Sequence, residues 1–388
     1  MNEFFEILLA LIKYEITGTK LDENIKNKIT AEIMPDLYCV AKKHEMAHLV
    51  GDALYKNGLV FEDNPHYKEF QKEQYLAFYS VQLQMNELNK ISKLFEEEKV
   101  PFIALKGAVI RQYYPQSWLR NSSDLDILVK HEHHERACKL LAEKLEYSFD
   151  QLSAHDQAFR AKSGVYVELH HDILDLEKNP NSAEITEKIW ERSVLKAGCS
   201  YTREMDDELF YFHHISHISK HFLDGGCGIK PLADICVLKN ASGRNFSGTN
   251  EFIKQFNLTT FAVNIERLCD CWFGEEKPDL LLEKMQDYIL SGFVYGTLTN
   301  RMAVHQIKKG GKANYAISRF FYPYDLLKYQ YPILIKRRWL TPVFEVVRWF
   351  RIIFTGGIKR SVRKLKENGS VSKETSCSVA DMLEMLEL

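Results

Sequence analysis

Residues 122–129, SSDLDILV, alternate acidic and apolar side chains, and that alternation leaves little choice of local structure. In an extended strand, positions i and i+2 project from one face, about 7 Å apart at their Cα atoms. Asp124 and Asp126 then share a face, while Leu125, Ile127 and Val129 turn toward a core. Two neighbouring carboxylates repel each other, and removing them from water is costly unless a cation or hydrogen-bond donors compensate. The pattern therefore reads in two ways: a solvated charged face on an edge strand, or a strand that holds a divalent metal ion.

The surrounding segments favour the second reading. KVPFIALKG (99–107) is a short apolar run ending in glycine, and AVIRQYYPQ continues it as a brief helical turn stopped by Pro115. After the acidic strand, HEHHERACKLLAEKLEYSF carries Ala137, Leu140, Leu141 and Leu145 at helical spacing. QAFRAKSGVYVELHH predicts a hairpin that turns at Ser163-Gly164. In its second arm Val165, Val167 and Leu169 share one face, and Tyr166, Glu168 and His170 share the other. The order is strand, helix, strand, helix, hairpin, with three carboxylates on strands.

This arrangement resembles the nucleotidyltransferase fold of the polymerase-beta type. That fold has a glycine motif after its first strand, a Dx[DE] pair on the next, and a third carboxylate on a later one. The corresponding residues are Lys106-Gly107-Ala108, Asp124 with Asp126, and Glu168. The string LKGAVIRQYYPQSWLRNSSDLDILV, followed by VYVELHHDI, is most similar to a bacterial branch with the pattern LKG…R…SDLDhLV…ELH, where h is apolar. The likeness runs from about residue 80 to 240 and is tightest over 105–130. One departure is plain: the widespread glycine motif is Gly-Gly or Gly-Ser, and Gly107-Ala108 lacks a hydroxyl that would hold a phosphate.

The resemblance implies an α+β fold, a small mixed sheet with helices, flanked by N-terminal and C-terminal helical regions. It also implies a Mg²⁺-dependent enzyme. Asp124, Asp126 and Glu168 would hold two Mg²⁺ ions against the phosphates of a nucleoside triphosphate such as ATP, with Glu168 alternatively accepting the proton of the attacking hydroxyl. Lys106, Gly107, Ala108, Arg120 and Ser123 would line the nucleotide. In that set Gly107 lets the backbone approach, while Lys106 and Arg120 neutralise developing charge. The products would be pyrophosphate and a nucleotidylated hydroxyl on a small molecule, protein or RNA. The alternative is a degenerate member of the same fold that binds nucleotide or a partner without catalysis. A DxD also occurs in Mn²⁺-dependent glycosyltransferases, but those place a βαβ nucleotide-binding region ahead of it, where this chain reads as helical.

At 388 residues the chain has room for two or three domains. The expected division is a helical region over 1–95, a nucleotidyltransferase core over 96–178, a helical domain over 179–330, and a basic aromatic segment with a flexible end over 331–388. In the first region, Phe4, Phe5, Leu8, Leu9 and Ile12 form one apolar stripe, and Val81, Met85, Leu88, Ile91 and Phe95 form another. A net charge of −2 draws the chain toward neither nucleic acid nor membrane as a whole. Eight scattered cysteines without a CxxC predict reduced thiols and a cytoplasmic location. The opening MNEFFEILLALIKYEITG lacks a basic n-region and is interrupted by Glu6 and Lys13, which argues against a signal peptide or a spanning helix.

Histidines mark four further places. HEHHE (131–135) ends in Glu135 where a metalloprotease motif needs histidine. The His155-Asp156 and His171-Asp172 pairs, which suggest a phosphohydrolase, fall outside any predicted helix. His213, His217 and His221 lie at i, i+4 and i+8 on one helical face that leads into GIKPLAD (228–234). The expectation is that His217, His221, Lys230 and Asp234 stand near substrate, against the plainer reading of polar packing between domains. Finally, residues 336–366 hold ten Lys or Arg against Glu345 alone, a balance of +9 (ten minus one), interleaved with Trp339, Phe344, Trp349, Phe350 and Phe354. Within PVFEVVRWFRIIF, Glu345, Arg348 and Arg351 form a narrow polar stripe. Three roles fit, in this order: a helix packed on the domain, a contact with an anionic membrane surface, and an RNA-binding strip.

Overall fold

The computed structural model describes residues 3–354 and 372–388, except 154, 174–181, 242, 245, 247–248, 295, 309, 312–313, 315–321, 323, 325–326, 329–330 and 332. The chain divides into two units: residues 1–218 with 229–278, and residues 219–228 with 279–388.

The first unit begins with α1 (Glu3–Thr17), α2 (Glu23–Lys28), α3 (Met34–Lys43) and α4 (Ala47–Lys56), then the long α5 (Pro65–Glu97). Asp22 and Asn64 cap α2 and α5 by accepting the amides of Asn24 and His66. Pro65 stands in the first turn, where its missing N–H leaves no helical bond unmade. The buried face of α5 includes Val81, Gln84, Glu87, Ile91 and Phe95. Met85, which the spacing predicts for the core, is exposed. The reason is polar: Gln84 donates to the Ser122 carbonyl (2.7 Å), and Glu87 accepts from the Tyr147 hydroxyl and from Lys90.

Next come β1 (Phe102–Ala104), α6 (Lys106–Ile110), β2 (Asp124–Val129), α7 (His131–Lys144), β3 (Ser148–Leu152), β4 (Asp156–Arg160), β5 (Tyr166–His170), α8 (Ser182–Arg192), β6 (Val194–Leu195) and β7 (Thr202–Glu204). They form a seven-stranded mixed sheet in the order β3-β4-β5-β2-β1-β7-β6. The pairs β2–β5 and β1–β7 are parallel and the rest antiparallel. β4 and β5 are the predicted hairpin, closed by Arg160 opposite Tyr166. The exposed edge strand β3 and the very short β6 and β7 carry no apolar alternation long enough to announce them.

Leu125, Ile127 and Val129 of β2 and Val167 and Leu169 of β5 point to one side of the sheet. There they pack with Ile91 and Phe95 of α5 and Ala137 and Leu141 of α7. Covering that face with apolar residues leaves the acidic positions of the same strands on the opposite face. The unit is completed by α9 (Asp207–Leu223) through Ile218, α10 (Lys230–Lys239), α11 (Glu251–Gln255) and α12 (Thr259–Phe273), with α12 packed on α10 and α1.

The second unit contains the end of α9 with α13 (Leu280–Gly292), α14 (Leu298–Lys308), α15 (Ile333–Lys336), α16 (Thr341–Phe354) and α17 (Lys373–Met385). Helix α17 packs on α13 and α14. Gly225 and Gly296 touch backbone to backbone, so a Cβ on Gly296 would stand 2.6 Å from the Gly225 carbonyl carbon. Among the described residues, no helix is long and apolar enough to cross a membrane. Residues 355–366 of the basic stretch lie outside the described residues. All eight cysteines are unbridged.

Candidate active site

The parallel register of β2 and β5 sets Asp126 beside Glu168 and Leu128 beside His170. Asp124, Asp126, Glu168 and His170 thus rise from one sheet face, carried by two central strands whose other face is nailed to the core. The Asp126 side chain is buried, and His170 Nε2 lies 2.9 Å from its Oδ1 and 3.4 Å from Glu168 Oε2. Lys106 Nζ donates to the same Asp126 oxygen at 2.7 Å. Lys106 itself has φ of 43°, a left-handed backbone that costs a non-glycine residue roughly 1–2 kcal/mol. The turn is stitched to β2 because the Leu105 amide donates to the Asp126 carbonyl (3.0 Å).

These contacts split the two aspartates. Burial alone would raise Asp126, but the Lys106 charge and the His170 hydrogen bond carry it well below the usual carboxylate range. Burial, reinforced by the Asp126 charge, pushes Asp124 up to about 6. His170 is raised in spite of its burial by hydrogen bonds to Asp126 and Glu168. His213 of α9 is close enough to feel Lys106, Asp126 and His170, and burial followed by the Lys106 charge takes it down to about 3.

Donor atoms of Asp126, Glu168 and His170 lie within 4.8 Å of one another, and Asp124 adds a further carboxylate on that face. A set dominated by carboxylate oxygens fits a hard divalent cation such as Mg²⁺ or Mn²⁺. A second group, His155 with Asp156 and again His170, adjoins the first.

The glycine turn has its own internal brace. A Cβ on Gly107 would stand 2.9 Å from Ser122 Oγ, so only glycine allows this approach of α6 to the start of β2. Ser122 is held in turn. Arg111 donates from Nη2 to Ser122 Oγ (3.0 Å) and Gln84 Oε1 (2.6 Å), and from Nε to the Gly107 carbonyl (2.8 Å). Ser122 Oγ donates to the Asp124 carbonyl or Gln84 Oε1, each at 3.0 Å. Ala108 is partly buried and packs against the core, and Ser123 is exposed just ahead of β2.

Arg120, partly buried, pairs with a different anion. Its Nε and Nη2 make a bidentate pair with Asp234 of α10 (2.6 and 2.8 Å), to which Tyr114 also donates (2.8 Å). Lys230 donates to Glu45, between α3 and α4 (2.6 Å). The polar residues of GIKPLAD therefore tie α10 to the helices and turns beside the sheet. Of the histidine stripe, His213 is buried and feels the Asp126 charge, His217 is partly buried in the same unit, and His221 belongs to the second unit. A separate cleft beside β1 and β7, lined by Gln112, Tyr113, Arg203, Asp207, Phe210 and Arg244, has none of the three carboxylates among its described lining.

Sequence reasoning placed Asp124, Asp126, Glu168 and His170 on shared faces. It missed Gln84, Arg111 and Ser122, whose signal was weak: a glutamine at a core position of α5, and an arginine four residues after the glycine. It also missed His213 as the stripe member that feels the Asp126 charge.

A mixed sheet carrying a Dx D pair on one strand, a glutamate on the neighbouring parallel strand and a glycine turn ahead of both defines a nucleotidyltransferase-type fold. Residues 31–274 match the family described as "uncharacterised nucleotidyltransferase", and the chain belongs to that family. A solved structure is also similar, that of an antigenic nucleotidyltransferase-like protein from Paracoccidioides brasiliensis, at 15% identity and a TM-score of 0.30, covering 52% of this chain and 94% of that one. No curated protein is significantly similar in sequence.

Proposed function

We propose that this protein transfers a nucleoside monophosphate from a nucleoside triphosphate to a hydroxyl acceptor and releases pyrophosphate. The observation that carries the reading is the pairing of Asp126 with Glu168 across parallel strands, with Asp124 on the same face. Asp124, Asp126 and Glu168 would hold the divalent cations, and His170 would orient Asp126 through its 2.9 Å hydrogen bond. Bound cations would supply charge neutralisation at the phosphates and a more acidic attacking hydroxyl. Glu168, less enclosed than Asp126, would accept that hydroxyl's proton if it is not used as a ligand. Lys106 would move from Asp126 to the triphosphate as cations arrive, so its ammonium serves the protein in both states.

One observation favours a second reading, a fold that binds nucleotide or a partner without transfer. The Lys106 ammonium already neutralises Asp126, and Ala108 offers no hydroxyl to a phosphate. The deciding experiment incubates the protein with each labelled nucleoside triphosphate and Mg²⁺, alone and with cell extract. Label transferred to an acceptor by the wild type but not by Glu168→Gln supports transfer. Nucleotide binding without pyrophosphate release supports the binding module.

A further inference from the structure

Helix α16 turns an apolar stripe outward and a charged pair inward. Beside Phe344, which packs on the Tyr331 ring, Arg348, only 4% exposed, donates from Nε to Glu345 Oε2 (2.9 Å), and Glu345 also accepts the Tyr322 amide. The Arg348 guanidinium lies 4.2 Å from the Tyr322 ring centroid and 4.9 Å from that of Trp349, so the buried charge is both paired and stacked. The outward residues are Val343, Val346, Val347 and Phe350, at i, i+3, i+4 and i+7, all exposed. The lead-in from α15 adds two more exposed apolar side chains, Ile335 and Trp339, the latter 74% exposed.

Cations frame the stripe. Lys336, Arg337 and Arg338 are exposed ahead of α16, and Arg351 is exposed in its last turn. The single acidic residue of the stretch, Glu345, is turned inward against Arg348. An outward apolar stripe with a basic rim and no outward acid is complementary to an anionic lipid surface, where the stripe enters the acyl boundary and the cations meet headgroups. The indole of Trp339 suits the same interface, being apolar in body and polar at one edge. A helix of 14 residues is about 21 Å long, too short to cross the hydrocarbon layer, so it lies along the surface.

We propose that residues 333–351 form a peripheral membrane contact that seats the protein on anionic lipid through Ile335, Trp339, Val343, Val346, Val347 and Phe350, with Lys336, Arg337, Arg338 and Arg351 as its basic rim. The contact is independent of the transfer reaction and stands or falls apart from it.

The test is sedimentation of the full chain with phosphatidylcholine vesicles, with and without a minority of phosphatidylglycerol. Binding is expected only with the anionic lipid and weakens as salt is raised. Lys336→Ala with Arg337→Ala, a change confined to exposed side chains, should reduce partitioning roughly thirty-fold, from two lost basic contacts. Val343→Ser with Val346→Ser should reduce it about ten-fold or more. Both variants should melt with the wild type. No sedimentation of the wild type, equal binding to neutral vesicles, or wild-type binding by Lys336→Ala with Arg337→Ala would each overturn the proposal. So would a concentration-dependent dimer that Val343→Ser with Val346→Ser abolishes, because a second copy would then cover the stripe.

Discussion

Gly107→Ala tests whether the glycine of the turn is required by the fold itself. The added Cβ would stand 2.9 Å from Ser122 Oγ, closer than real Cβ contacts come, and a tight 3.0 Å from Ser122 Cβ. Ser122 cannot step aside freely, because its hydroxyl is held by Arg111 and lies within 3.0 Å of both Gln84 Oε1 and the Asp124 carbonyl. Overpacking of this kind costs about 1–3 kcal/mol. Loosening one hydrogen bond of the buried guanidinium adds about 1 kcal/mol, so the expected loss is about 2–4 kcal/mol. Urea unfolding should show a lowered midpoint at unchanged slope. Ser122→Gly removes the opposing atoms, and the double variant should recover about 1–2 kcal/mol relative to the sum of the single losses. Wild-type stability of Gly107→Ala, or strictly additive losses, would refute the argument. If that stable variant also failed to bind nucleotide, the glycine would be serving phosphate approach instead of Ser122.

The two aspartates should respond differently to amidation in the absence of metal. Asp124→Asn removes a carboxylate that burial and Asp126 already disfavour and should leave the melting temperature equal or higher, whereas Asp126→Asn strips Lys106 and His170 of their shared anion and should cost about 2 kcal/mol. Both should abolish the rise in melting temperature that Mg²⁺ with a nucleoside triphosphate gives the wild type, and a retained rise in either would count against a cation site there. Asp234→Asn leaves the partly buried Arg120 without its bidentate anion and should cost about 3–5 kcal/mol in denaturant titration; a loss under 1 kcal/mol would show that Arg120 finds another partner. His48 donates from Nε2 to the Leu119 carbonyl, and burial pushes its pKa from 6.5 down to about 4. Its neutral form therefore contributes stability fully above pH 6.5, which is lost as the pH falls toward 4, about 3 kcal/mol in all. His48→Gln, which can still donate, should flatten the stability profile across that window, and an unchanged profile would exclude His48 as its source.

How much of this was legible beforehand follows from the range over which each interaction acts. Strand periodicity is local, so SDLDILV and VYVELH by themselves determined which side chains share a face, and hence that Asp124 and Asp126 lie together while Glu168 lies with His170. The order of elements with LKG, DxD and ELH was enough to identify the fold. Which charge meets which was decided by packing. Lys106 reaches Asp126, 20 residues further along the chain, and Arg120, close in sequence to the acidic strand, takes Asp234, 114 residues away. The direction of α16 belongs to the same class. A hydrophobic period shows that a helix has two faces, but whether the polar one turns inward depends on whether partners such as Tyr322 wait for it there. Gln84 is the clearest instance: its place in α5 looks like a lapse in an apolar stripe until the fold brings Ser122 and Arg111 against it, because a buried amide is stable only where its donors and acceptors are met.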